Sequence, residues 1–314
     1  RITVKFLFSL TMICHLLNAN PSGGLWKQFI YTDGISSNYI FDIYKDKRKR
    51  VWVGTQNGIT LIDGNSKRKH GSAHGLPAAD VIKITDINGR VFAATSGQGV
   101  YVFKDENFEK VKFIKGSDVY TMKNIGDEIF ISTNLENITY DGSKTSFMGK
   151  GFPNDKIIDV HSHDGNNWFA TEQKVIKSDG NKYVSEKITF LNTNAKIQAL
   201  LVDGDIEYFG TNQGLWSRQN DGEVKLIKNI NVLILSKTTN GEIIVGSRKG
   251  LYSLSNETLK NMNPEGKDYS AISKTAVRDI EVISENEIWY ATFGMGLFLH
   301  NPGTFTTINT KDGL

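Results

Sequence analysis

The residues best placed for chemistry in this 314-residue chain are few. His161-x-His163-Asp164 puts two imidazoles at i and i+2, which face the same way on a strand and could hold a metal. No third ligand recurs nearby, and the pair ends a strand at a turn, so no metal site is expected there. Asp203-Gly-Asp205 resembles a fragment of a calcium loop but lacks the remaining ligand spacing, and it reads as a hairpin turn. Lys45-Asp-Lys-Arg-Lys-Arg50 is a basic hairpin tip whose charge would be solvated. Trp52, Trp168 and Trp289 could stack on sugars, but their fixed place within strands favours packing. His70 and His74 fall in a connection and are expected to be solvated. No G-x-S-x-G, P-loop or H-E-x-x-H motif is present, so no catalytic residue and no cofactor is assigned. The single Cys excludes a disulfide framework and any Cys-based cluster. Lys+Arg against Asp+Glu is 37 to 34, too even for a nucleic-acid-binding face.

The elements that must position such residues are repeats. A short apolar strand ending in a small residue plus Thr or Ser, a turn, and a second short strand recur seven times from VWVGTQNGITLI (51–62) to IWYATFGMGLFL (288–299). The hydroxyl residues are Thr55, Thr95, Thr133, Thr171, Thr211, Ser247 and Thr292, at intervals of 40, 38, 38, 40, 36 and 45. The residue before each is Gly, Ala or Ser, which would let a neighbouring sheet approach closely. Three before each stands Trp52, Phe92, Phe130, Trp168, Tyr208, Ile244 or Trp289, wide enough to fill the diverging space between sheets. The hydroxyl can cap the turn that follows. Each anchor is preceded by an inner strand, such as NYIFDIYKD (38–46), and several are followed by a fourth, such as KYVSEKITFL (182–191). Val, Ile, Phe, Tyr and Trp bounded by Gly, Asn and Asp turns make these strands. Four antiparallel strands per forty residues, seven times, give an all-β fold: a seven-bladed β-propeller, with no helix of three turns after residue 19.

The ends imply closure and export. Residues 1–19 carry a basic start, an apolar run from Phe6 to Leu17 and Leu-Asn-Ala, the pattern of a cleaved signal peptide. The propeller is expected over 20–303, with 25–31 as the closing outer strand of the last blade. Residues 304–314 are either a competing last outer strand or the start of a second, truncated propeller.

The first repeat, YTDGISSNYIFDIYKDKRKRVWVGTQNGITLID, resembles the two-component regulator propeller repeat, with its DGL-(P/S)-S-N element and its W-(V/I)-G-T-x-x-G-L anchor. Later repeats keep the anchor and lose the DGL-SN element. The resemblance implies the periplasmic sensor half of a histidine kinase or hybrid two-component system, as found in Bacteroidetes. It also implies later domains of the same polypeptide (a second propeller, a β-sandwich, a membrane helix and the kinase) and a homodimer in the full-length sensor. The same repeat occurs in a propeller component of type IX secretion machinery, so a scaffold in an envelope assembly is the alternative, and an extracellular hydrolase or lyase a distant third.

A ligand, an oligosaccharide or another small molecule, is expected at the channel mouth, where the second-to-third-strand turns emerge. The candidate residues are Gln56, Asn57, Gln98, Asn134, Gln173, Asn212, Gln213, Arg248 and Phe293. Amides suit sugar hydroxyls, although Asn and Gln also simply make turns.

Overall fold

The computed structural model describes residues 24–302 apart from 181, 192 and 263–269. The predicted signal peptide and residues 304–314 lie outside the described residues. The described chain forms seven four-stranded antiparallel sheets in ring order, a seven-bladed β-propeller. Beside the strands stand three short 3-10 turns, at Tyr31–Asp33, Ser72–His74 and Ser270–Lys274. Six blades are contiguous in sequence. The seventh joins both ends of the chain: Leu25–Phe29 pairs with Leu297–Asn301, from Leu25 opposite Asn301 to Phe29 opposite Leu297.

The core is divided rather than single. The buried apolar residues form seven clusters, and each spans one interface between adjacent blades. Trp52 and Leu61 of blade 1, for instance, pack on Val81, Val91 and Tyr101 of blade 2. Strands covered on both faces explain why the anchor segments lack polar alternation. The wide column of the sequence pattern lies here. Trp52, Phe92, Phe130, Tyr208, Ile244 and Trp289 are all buried. Trp168 is partly buried and donates from Nε1 to Glu207 Oε1 at 3.1 Å.

The small-residue column has a steric cause. A Cβ on Gly54 would stand 2.7 Å from the carbonyl oxygen of Val81, and one on Gly210 would stand 2.5 Å from Val232 Cγ1. Both contacts are with the first residue of the next blade's inner strand. The hydroxyl column also has one role in all seven blades. Thr55, Thr95, Thr133, Thr171, Thr211, Ser247 and Thr292 each donate to the carbonyl at the far side of the following turn, at 2.6–3.4 Å.

His70 corrects the sequence expectation. It ends the outer strand Ser66–His70 and is 3% exposed, with its ring against Phe103 and Phe108 of blade 2. The preceding residues, Ser-Lys-Arg-Lys, are polar and mostly exposed, which disguised the inward-facing position that ends the strand. Neither ring nitrogen has a hydrogen-bond partner among the described residues. Burial, then the neighbouring His74, lowers its pKa, so the imidazole is held neutral.

Candidate site at the channel mouth

Antiparallel pairing decides what shares a face. In six of the blades the first residue of the inner strand lies opposite the anchor hydroxyl residue, as Ile40 opposite Thr55, Val81 opposite Thr95 and Val277 opposite Thr292; in blade 4 Asp159 lies opposite Ala170. The turn after the hydroxyl therefore stands beside the start of the inner strand. A recurring backbone bond fixes it there. Gln56, Ser96, Asn134, Asn212, Arg248 and Phe293 each donate their N–H to the carbonyl of the residue just before the inner strand's first ladder pair, namely Tyr39, Asp80, Asp118, Lys196, Asn231 and Ala276.

At this same level the inner strands bulge. In blades 1, 2, 3, 5, 6 and 7 one residue is skipped in the ladder between the first and second pairs. A bulge re-aims a side chain, and bulges favour rims and sites. The skipped residues are Phe41, Ile82, Tyr120, Gln198, Leu233 and Arg278; with Ile158 of blade 4 they line a cavity of about 300 Å³ at the mouth. This collar was not anticipated from sequence. Its residues lie 13 or 14 places before the anchor hydroxyl, because the intervening hairpin varies by one residue, and the column is blurred in a simple alignment.

One sector of the collar is aromatic and cationic. The Arg278 guanidinium lies 5.4 Å from the centre of the Phe41 ring and 5.8 Å from that of Phe293. Phe293 meets Phe41 edge-on at 5.9 Å and Tyr39 edge-on at 4.9 Å. The seam between the first and last blades holds this sector in place. Tyr39 and Phe293 form an antiparallel bridge, and the Asn38 carbonyl accepts from both Gly294 and Gly296 at 3.0 Å. Asn38 Oδ1 also accepts from Tyr31 N at 2.7 Å. Arg278 is exposed toward the channel and forms no ion pair among the described residues; partial desolvation by the surrounding walls, then nearby Arg248, lowers its pKa. Elsewhere around the mouth, Gln198 Nε2 donates to Asn231 Oδ1 at 3.1 Å, and Lys156 Nζ sits 4.4 Å over the Tyr120 ring.

Of the turn residues expected to bind, Phe293 and Arg248 stand with this cluster. The other seven are placed on the same face, and none of the nine lines either channel cavity. Asn134 and Asn212 use their side-chain oxygens to accept from Asp118 N at 3.2 Å and Lys196 N at 2.8 Å, which ties turn to connection. Gln213 contacts Thr193.

Below the collar the channel is charged. Its second cavity, about 350 Å³, is lined by Asp42, Lys83, Lys123, Asp159, Asp279 and Glu281 among others. Lys83 Nζ pairs with Asp42 Oδ1 at 2.6 Å. Three carboxylates stitch blade to blade by accepting backbone protons: Asp42 from Ile84, Asp159 from Leu200 and Asp279 from Ile43, at 2.7–2.8 Å. Burial first, and then Asp279, pushes Glu281 up to about 8. The His161–His163 pair lies elsewhere. Burial first, then Lys123, drives His161 down to about 4, and His163 Nε2 accepts from Gly204 N at 3.1 Å. Among the described residues no group of three His, Cys, Asp or Glu could hold a metal. No helix among them is long and apolar enough to cross a membrane.

The family model described as two component regulator propeller matches residues 34–57. Histidine kinase P4 of Formosa agariphila is 38% identical over 60 residues, which is 19% of this chain and 4% of that protein. The ring is similar to the extracellular domain assigned to hybrid two component system BT4673 of B. thetaiotaomicron, with a TM-score of 0.75 and 18% identity over 91% of this chain and 40% of that one. It is also similar to PorZ, a surface component of the type-IX secretion system of Porphyromonas gingivalis, at a TM-score of 0.67 and 15% identity, covering 86% of this chain and 47% of that one. The chain thus spans less than half the length of each of these proteins. Residues 34–57 thus match the two component regulator propeller repeat, and the seven-bladed ring they form part of shares the fold of these solved extracellular domains.

Proposed function

We propose that this chain is the ligand-sensing propeller of a longer exported two-component sensor, with the channel mouth as its recognition surface. The observation that carries the reading is where the family segment lies. Residues 34–57 run from the loop holding Asn38, down the inner strand carrying Phe41, and back up to Gln56 at the mouth. The segment matched by the family model thus supplies Phe41 to the collar and Tyr39 and Gln56 to the rim. In this reading residues 1–19 direct export, the ring occupies 20–303, and later domains of the same polypeptide receive the signal, as a homodimer. The turn residues Gln56, Asn57, Gln98 and Gln173 form an outer rim around the collar.

The likeness to PorZ supports a second reading, an envelope scaffold with no small ligand. Autophosphorylation of the full-length natural protein in membranes, with and without oligosaccharides, separates the two. The sensor reading expects a kinase module in the same polypeptide and a ligand-dependent change in labelling. A full-length protein with no kinase, or labelling indifferent to every saccharide, contradicts it.

A further inference from the structure

We propose that the mouth reads a negative charge: Arg278, set between Phe41 and Phe293, is the anchor for a carboxylate on a saccharide whose ring lies against the aromatic collar. The inference rests on the ligand-sensing reading of this face and names the ligand's chemical class.

The argument starts from what Arg278 lacks. Arg278 is exposed at the mouth, and the planar fork of a guanidinium matches two carboxylate oxygens. Arg278 has no ion pair and no hydrogen bond to a described residue, only two aromatic faces. Asp80 is near enough to act on it electrostatically but does not pair with it, and Arg248 adds a second positive charge. The stacking orients the guanidinium without satisfying its N–H donors. Its bulged position aims it into the mouth cavity rather than into the sheet.

The rest of the cavity fits the body of such a ligand. Phe41, Tyr120, Ile82 and Leu233 offer apolar faces of the kind that sugar rings pack on, and the Gln198–Asn231 pair offers amide donors and acceptors for hydroxyls. A competing carboxylate in the wall would defeat the site, and Asp159 is the one that lines it. Its oxygens are already engaged by Val160 N, Leu200 N and Lys123 Nζ, and the adjacent Lys83 is positive. At about 300 Å³ the cavity admits a sugar unit, not a folded partner.

Calorimetry on the whole chain, titrated with digalacturonate and with the neutral galactose disaccharide of the same linkage, tests this. The acidic probe should bind at least tenfold more tightly than the neutral one. Its affinity should fall several-fold between 50 and 500 mM salt, roughly as screening of a partly exposed pair requires. Arg278→Gln should weaken the acidic probe at least tenfold and leave the neutral one unchanged, and Arg278→Lys should recover only part of the loss. The wild-type comparison of the two probes needs no variant, so the test holds even if Arg278→Gln misfolds. Equal binding of both probes, an inert Arg278→Gln, or no binding of the acidic probe at millimolar concentration overturns the proposal. In the first two outcomes the sensor reading stands, because it is judged separately by phosphorylation.

Discussion

The Asp279 carboxylate of the last blade accepts the backbone proton of Ile43 in the first at 2.8 Å. The ring is therefore closed twice, by the outer-strand pairing of Leu25–Phe29 and by this bond at the inner strands. Ile43 is buried, and the carboxylate is the hydrogen-bond acceptor its N–H uses. Asp279→Ala should cost about 1–3 kcal/mol, the usual penalty of orphaning a buried donor. Asp279→Asn keeps an acceptor and removes a like charge from beside Asp42 and Glu281, so its loss should be smaller. Urea unfolding of the two variants checks this; equal losses would show that the bond to Ile43 is not what matters.

The small-residue column makes a steric prediction. Gly210→Ala drives a methyl to 2.5 Å from Val232 Cγ1, and overpacking of this kind costs about 1–3 kcal/mol. Val232→Ala vacates the contact, so the double variant should lose less than the sum of the single ones. Additive losses in a double-mutant cycle would contradict the contact.

His70 predicts a pH dependence. Its folded pKa lies below the unfolded value because burial disfavours the charged ring. The unfolded chain binds the proton first, so stability is present above about pH 6.5, the unfolded value, and falls as pH drops below it. His70→Phe removes the titrating group and places an apolar ring among Phe103 and Phe108. The variant should gain on the wild type at pH 5 relative to pH 7.5 in urea midpoints. A constant difference across that range would contradict the buried neutral imidazole.

Glu281 has the opposite sign. Its folded pKa is raised to about 8, so the folded chain holds a proton that the unfolded chain has released. Stability from this group is complete below the unfolded value of about 4.3 and is lost as pH rises toward 8. Glu281→Gln should flatten that decline between pH 5 and 8, and a slope identical to wild type would count against the raised pKa.

Much of the fold is legible in the residues. The hydroxyl and small-residue columns are local, each fixed by a turn bond or one close contact with the next blade, so Thr211 and Gly210 announce themselves by type and spacing. The site is less legible. Arg278 and Phe41 occupy equivalent bulges, but nothing in the inner strands' composition separates a bulged residue from its neighbours. Their meeting with Phe293 depends on the seam between the first and last blades, more than 230 residues apart in sequence. Asn134 and Asn212 show the reverse problem. Their type suits a ligand, but their geometry ties turns to connections.

The central claim is that the turn face of this ring is where the ligand binds. Hydrogen exchange of the whole chain, with and without saturating oligogalacturonate, tests it most directly. The account predicts slowed exchange at residues 38–41, 276–278 and 293–295, with no change at the opposite-face hairpins 46–50 and 203–205. Slowing confined to those hairpins, or none anywhere on the ring, would contradict it.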